Sequence, residues 1–288
     1  MKSRKLALLT VFVSVSGGGC GTPNFPQYNV LGDLRIITIV PDQPEVNPGT
    51  TVNFTPVLSD MNGAGRTLNY AIQGCIDPGV GIGASPVCNP PDASSIQSGT
   101  VTIPVGTSQT YTGSVPSFAL TMPSSSTIFA NQSTQNQFNG IAYLIFYTLS
   151  VPNTSTSVNS FLRVVVSATT KTPKNQNPTM SSINMNDVAT SSVFSMPTAA
   201  TNFSAISPAS ASESYQTMNA SGSLNASVEQ LTDTWFISDG SFVYQWTNSN
   251  AENAWTPPSP KPTGRGMVMV VVVRDGRNGV AFQKIEMN

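Results

Sequence analysis

Short β-branched runs, each closed by proline or glycine, recur along this chain from residue 34 onward, and this rhythm constrains the fold most. Residues 34–40 (LRIITIV) end at Pro41. Residues 51–58 (TVNFTPVL) alternate apolar and polar, as a half-buried strand does. A turn at Asp60-Met61-Asn62-Gly63 precedes another strand signal at 68–72. Residues 141–151 (IAYLIFYTLSV) are continuously apolar, as a central buried strand would be, and 160–168 (SFLRVVVSA) repeat the theme. Fainter signals lie at 100–105 and at Thr110-Tyr111. Residues 76–100, dense in glycine and proline, read as an irregular loop. About seven short strands separated by turns is the pattern of a β-sandwich.

Residues 169–179 (TTKTPKNQNPT) hold two prolines and no apolar side chain, which predicts a linker between domains. Beyond it the signals are weak at 182–185 and 192–194, and residues 197–223 show little pattern. They become strong at 231–237, 242–246, 266–273 (GMVMVVVV) and 280–285. The sequence therefore predicts an all-β chain, with one sandwich over 34–168, a linker over 169–179 and a second sandwich over 180–288.

The charge balance narrows the function. Only 9% of residues are charged and the net charge is −1, while 39% are hydrophobic, so the chain has material for a core. No basic stripe is present to neutralise phosphates, which argues against nucleic acid as a partner. Histidine is absent, which removes the usual general base near neutral pH and the commonest metal ligand. The expectation is a non-enzyme with no catalytic residues, no metal and no cofactor.

Residues 1–19 begin with Lys2, Arg4 and Lys5, continue through the apolar run 6–16 and end in Gly17-Gly18-Gly19, as a secretory signal peptide does. The run is too short for a membrane-spanning helix, which needs roughly 20 residues. Small residues leading into Cys20 resemble a bacterial lipobox. Gly17 stands where that family usually has leucine, so ordinary signal cleavage is the alternative. The resemblance implies that Cys20 carries acyl chains such as palmitate and becomes the first mature residue. By the same resemblance, Gly21 in place of aspartate points to the outer membrane. Three cysteines in an exported chain leave one odd thiol. A Cys75–Cys88 disulfide together with an acylated Cys20 accounts for all three, whereas two cysteines without histidine cannot complete a zinc site. Residues 20–33 read as a short tether.

The sequence around Trp235 to Gly240, the Trp255-Thr256-Pro257-Pro258 segment, the run 267–273 and the turn 275–279 resemble polycystic-kidney-disease-type and related immunoglobulin-like domains of bacterial surface proteins. That resemblance covers residues 225–288 well and 180–224 poorly. Residues 36–40, Pro44-Glu45-Val46, Pro48-Gly49-Thr50 and Cys75 look like the leading domain of tandem-domain bacterial lipoproteins. Together they imply two immunoglobulin-like sandwiches on the membrane, meeting an envelope protein or a glycan. Trp235 follows the core pattern. Trp246 and Trp255 lie near loops and are the candidate ligand contacts, with core packing the favoured alternative because aromatic rings carry large buried area. Asp239-Gly240, Asp275-Gly276 and Asp60-Met61-Asn62-Gly63 read as tight turns in preference to calcium loops. Gly79-Val80-Gly81-Ile82-Gly83 lacks the Lys-Ser/Thr of a phosphate loop.

Overall fold

The computed structural model describes residues 28–63, 65–79, 87–105, 112–115 and 117–288. The expected signal peptide, Cys20, tether residues 20–27, residues 80–86 of the glycine-rich loop and Thr110-Tyr111 lie outside the described residues.

The first sandwich is built from β1 (Arg35–Pro41), β2 (Glu45–Val46), β3 (Thr51–Ser59), β4 (Thr67–Ile76), β5 (Gln97–Thr102), β6 (Thr112–Ser114), β7 (Phe118–Thr121), β8 (Ile141–Ser150) and β9 (Ser157–Val166). In one sheet β3 pairs with β1 on one side and with β6 and then β7 on the other. The second sheet runs β2-β9-β8-β4-β5, with β2 parallel to β9. Alternate side chains of β3 (Val52, Phe54, Leu58) meet those of β8 (Tyr143, Ile145, Tyr147, Leu149) in the core. The Phe118 ring stacks against both Phe54 and Tyr147, at 4.9 and 5.7 Å. Two short helices, α1 (Ser125–Ile128) and α2 (Thr134–Asn139), bridge β7 and β8. The Ser133 hydroxyl caps α2 by accepting from the Asn136 amide. The sequence reading missed both helices, because two turns or fewer of Ser, Thr, Asn and Gln carry no apolar period.

The second sandwich comprises β10 (Ser182–Met185), β11 (Val188–Ala189), β12 (Val193–Phe194), β13 (Thr201–Ile206), β14 (Ser214–Met218), β15 (Leu224–Val228), β16 (Thr232–Ile237), β17 (Ser241–Phe242), β18 (Trp246–Asn248), β19 (Glu252–Thr256), β20 (Met267–Arg274) and β21 (Val280–Met287). Its sheets run β11-β10-β13-β19-β17 and β12-β21-β20-β16-β18, with β12 parallel to β21, and β14 and β15 form a separate hairpin. Trp235, Trp255, Phe203, Met269 and Val271 fill its core.

Both sandwiches follow one strand plan. The opening strand lies in one sheet, a short segment then crosses to run parallel to the last strand of the other, and the far edge of that other sheet is β5 in the first sandwich and β18 in the second. That order, with a buried tryptophan on β16, is the immunoglobulin-like arrangement. The chain is all-β, with two such sandwiches in tandem. Strand β13 falls in the stretch where the sequence shows little pattern. Its large apolar side chains are only Phe203 and Ile206, yet it pairs on both sides and buries the Phe203 ring completely.

The sandwiches are joined by a third apolar core. Ile37 of β1, Val57 of β3, Leu31 and Met61 pack against Phe236, Val268, Val270, Val272 and Val280. Strand β20 is consequently buried on both faces: Met267, Met269 and Val271 face their own core, while Val268, Val270 and Val272 face the first sandwich. This accounts for the unbroken apolar run at 266–273, since one-sided strands alternate and two-sided strands do not.

The expected interdomain linker and the end of the expected tether are held in place where they are described. In the linker, Lys171 and Asn175 are buried, and the Asn177 side-chain amide donates to the Pro41 carbonyl at 2.5 Å. At the end of the tether, the Ile237 amide donates to the Asn29 carbonyl and the Leu31 amide to the Ile237 carbonyl. The chain thus crosses the second sandwich before it enters the first.

Candidate interaction surfaces

The densest charge cluster sits at the joint. Glu45 of β2 is buried and accepts from Lys171 at 2.8 Å, from the Ser167 hydroxyl at 2.5 Å and from the Asn175 amide at 3.1 Å. Arg277 bridges Glu45 at 3.1 Å and Glu229 at 2.8 Å, with its guanidinium 4.1 Å from the centre of the Tyr215 ring. Burial alone would raise the Glu45 carboxyl. The Lys171 and Ser167 hydrogen bonds, the Lys171 charge and the Asn175 amide outweigh it and hold the group below its usual value. Burial raises Glu229 despite Arg277. Every carboxylate here is engaged by a neighbour, so the cluster fastens the two sandwiches and presents no free group to a substrate.

Asp233 differs. It lies in β16 between β18 and β20, is completely buried, and neither carboxylate oxygen has a hydrogen-bond partner among the described residues. Burial pushes its carboxyl up to about 7. The carboxylates of the Asp-Gly turns are all engaged. Asp239 pairs with Arg265 at 2.9 Å. Asp60 pairs with Arg66 at 2.8 Å. Asp275 accepts from the Arg277 and Gly279 amides and from the Asn175 side chain. Gly240 and Gly276 have φ of 76°, the left-handed conformation a tight turn draws on glycine to supply. Among the described residues no three His, Cys, Asp or Glu side chains converge on one point.

Cys75 and Cys88 form the disulfide, with Cα atoms 5.6 Å apart. It ties β4 to the loop that leads into β5. Cys20 lies outside the described residues.

The two candidate tryptophans separate. Trp246 of β18 is 65% exposed beside Tyr244 and Val243, and these line a shallow depression of about 500 Å³ with Gln245, Asn248 and Glu252. Trp255 is fully buried, which corrects the expectation that it contacts a ligand. Its place beside Pro257-Pro258 suggested a loop. It sits instead on β19, with its ring edge-on to Phe203 at 6.1 Å and its indole N–H donating to the Asp239 carbonyl. Between the sandwiches a cleft of about 410 Å³ is framed by Tyr28, Phe161, Arg163 and Arg274. Arg163 is held by Asp77 and Arg274 by Thr234.

A further open feature escaped the sequence reading. Strand β5 is the outer strand of its sheet, paired with β4 alone among the described residues. Residues 98–100 are exposed, as are Ile96 and Val105 beyond the strand ends. The segment Gln97–Thr102 (QSGTVT) contains no charge and no proline, the two features that usually blunt an edge.

No family model and no curated protein matches the chain. Solved structures align at low scores. The D0-D1 domain of Intimin aligns at 10% identity and a TM-score of 0.21, covering 88% of this chain and 98% of that one. The two tandem V-type regions of VCBP3, a v-region-containing chitin binding protein, align at 10% identity and 0.27, covering 88% and 100%. Salmonella alpha-2-macroglobulin aligns at 12% identity and 0.28, covering 88% of this chain and 16% of that one. At such scores the likeness carries no argument, and the fold assignment rests on strand order.

Proposed function

We propose that this chain is a lipid-anchored protein of the outer membrane, without enzymatic activity, whose joined sandwiches dock another envelope protein. The observation that carries the docking reading is the edge of β5, an uncharged strand that pairs with β4 alone among the described residues and whose outward amides and carbonyls can accept an added strand. The anchor is supported by the basic start, the apolar run and the small residues before Cys20. The absence of histidine and the engagement of the clustered carboxylates support a non-catalytic role. Glycan recognition through Trp246 and Trp255 is the rival reading, and it loses one of its two contacts to the core.

Two measurements test it. Intact mass of natively expressed protein is expected to show a chain starting at an acylated Cys20 with Cys75 and Cys88 oxidised; a chain still starting at Met1 would end the anchor reading. A photo-crosslinking residue at Ser98 of β5 is expected to capture one defined protein on living cells, while the same residue at exposed Ser126 captures none. Equal yields at both positions, or no adduct at Ser98, would remove the docking reading.

A further inference from the structure

The point at which the chain joins the folded body is also where exposed apolar side chains gather. Tyr28, Val30, Val243, Tyr244 and Trp246 are 57%, 37%, 63%, 59% and 65% exposed. Val30 and Trp246 flank one edge of β16, Tyr28 precedes Val30, and Val243 and Tyr244 lead into β18 while bonding to Ala254 and Asn253 of β19. Trp246 stands opposite Thr234, the Trp235 amide donates to the Gln245 carbonyl at 3.0 Å, and Val30 bridges to Ile237. Thr234 and Ile237 are three residues apart on one strand, roughly 10 Å. The Tyr28 ring packs 5.5 Å from Phe236 and borders the cleft between the sandwiches, and Thr234, Phe236 and Trp246 share the face of the sheet that turns toward the first sandwich. The Arg35 guanidinium stands over the Tyr28 ring at 5.7 Å. None of the five carries a charge.

The sequence distance to Cys20 selects the occupant of this edge. Tyr28 follows Cys20 by eight residues. A fully extended chain of that length spans at most about 28 Å, at roughly 3.5 Å per residue. A lipid on Cys20 therefore keeps this edge within that distance of the headgroups. The docking of Asn29 and Leu31 on Ile237 fixes where on the body the tether begins. Tyrosine and tryptophan, each with an apolar body and a polar tip, suit the boundary between headgroups and acyl chains, and a nearby guanidinium suits lipid phosphate.

We propose that the edge formed by Tyr28, Val30, Val243, Tyr244 and Trp246 is a membrane-facing patch that rests in the headgroup layer of the bilayer holding the Cys20 anchor. This rests on the anchor reading above. It assigns the second sandwich to the membrane and leaves the β5 edge of the first free for a protein.

The test uses the full mature protein, purified with its own modification and reconstituted into phosphatidylethanolamine–phosphatidylglycerol vesicles with and without brominated acyl chains. Bromine quenches tryptophan only at close range. Trp235 and Trp255 are buried, so quenching reports Trp246. The expected result is a clear loss of emission with brominated lipid, a loss that disappears in Trp246→Phe while that variant keeps its circular dichroism. Intact mass of the same sample separates the two ways to fail. An unacylated chain overturns the anchor and the patch together. An acylated chain whose emission brominated lipid leaves unchanged overturns the patch alone. An acylated chain that is quenched equally in Trp246→Phe also overturns it, as does emission that responds to added saccharide and not to brominated lipid.

Discussion

Strands β8 and β20 occupy equivalent central places in their sandwiches, yet only one alternates. In β8 the inward side chains from Tyr143 to Leu149 are buried, while on the other face Leu144 is buried and Phe146, Thr148 and Ser150 are half-buried. In β20 the seven residues 267–273 are all buried. The difference lies in what covers the outer face, since β20 is roofed by the first sandwich and β8 is not. Both strands read as apolar runs in the sequence, so it is the burial of every residue from 267 to 273 that records a second neighbour, and here that neighbour is the other domain. The account predicts that the two sandwiches unfold as one unit.

The same change on the two outer faces is expected to have the largest effect. Val270→Asp puts an unpaired charge in the joint and is expected to cost roughly 3–5 kcal/mol or to prevent folding. Phe146→Asp on β8 is expected to cost much less, because water can reach the new carboxylate. Similar losses in urea denaturation would mean the joint is no core. Next comes the polar half of the joint. Arg277→Ala leaves Glu229 without its cationic partner and Glu45 with Lys171 as its remaining cation, an expected loss of about 3 kcal/mol, tempered by the partial exposure of the guanidinium. Reducing the Cys75–Cys88 bridge should cost about 2–3 kcal/mol in the chain-entropy model. Because the sandwiches are coupled, tryptophan emission from the second should melt at lower denaturant even though the bridge lies in the first.

A smaller effect is pH-dependent. The Asp233 carboxyl sits near 7 in the folded state and lower when unfolded, so the unfolded chain releases that proton first. Asp233 therefore subtracts stability as pH rises from about 4 to 7, with no further change above. Glu45, held low, works oppositely, and its contribution is lost as pH falls below the ordinary carboxylate range. Asp233→Asn should flatten the decline between pH 4 and 7 and be more stable than wild type at pH 8. An unchanged slope would show the carboxyl to be solvated. Smallest of all, Trp246→Phe should move stability by no more than about 0.5 kcal/mol, as expected for an exposed side chain outside both cores.

Much of the strand content was legible because the long strands carry enough β-branched residues to show a period. β13 was not, with only Phe203 and the terminal Ile206 among Thr, Asn, Ser and Ala. Trp255 was misjudged because β19 is too short to reveal that Asn253 and Trp255 share the inward face. The joint was half legible. Its apolar half showed as the run 266–273, but its polar half is assembled from Glu45, Lys171, Asn175, Glu229 and Arg277, which only the fold brings together. The β5 edge was hidden because an open edge is a property of pairing, not of composition.

Equilibrium urea unfolding followed by two probes tests the coupling most directly. All three tryptophans belong to the second sandwich, whereas far-ultraviolet circular dichroism reports both. The account predicts superimposable single transitions with a slope appropriate to the whole folded body. A two-step dichroism curve, with tryptophan emission changing in only one step, would contradict it.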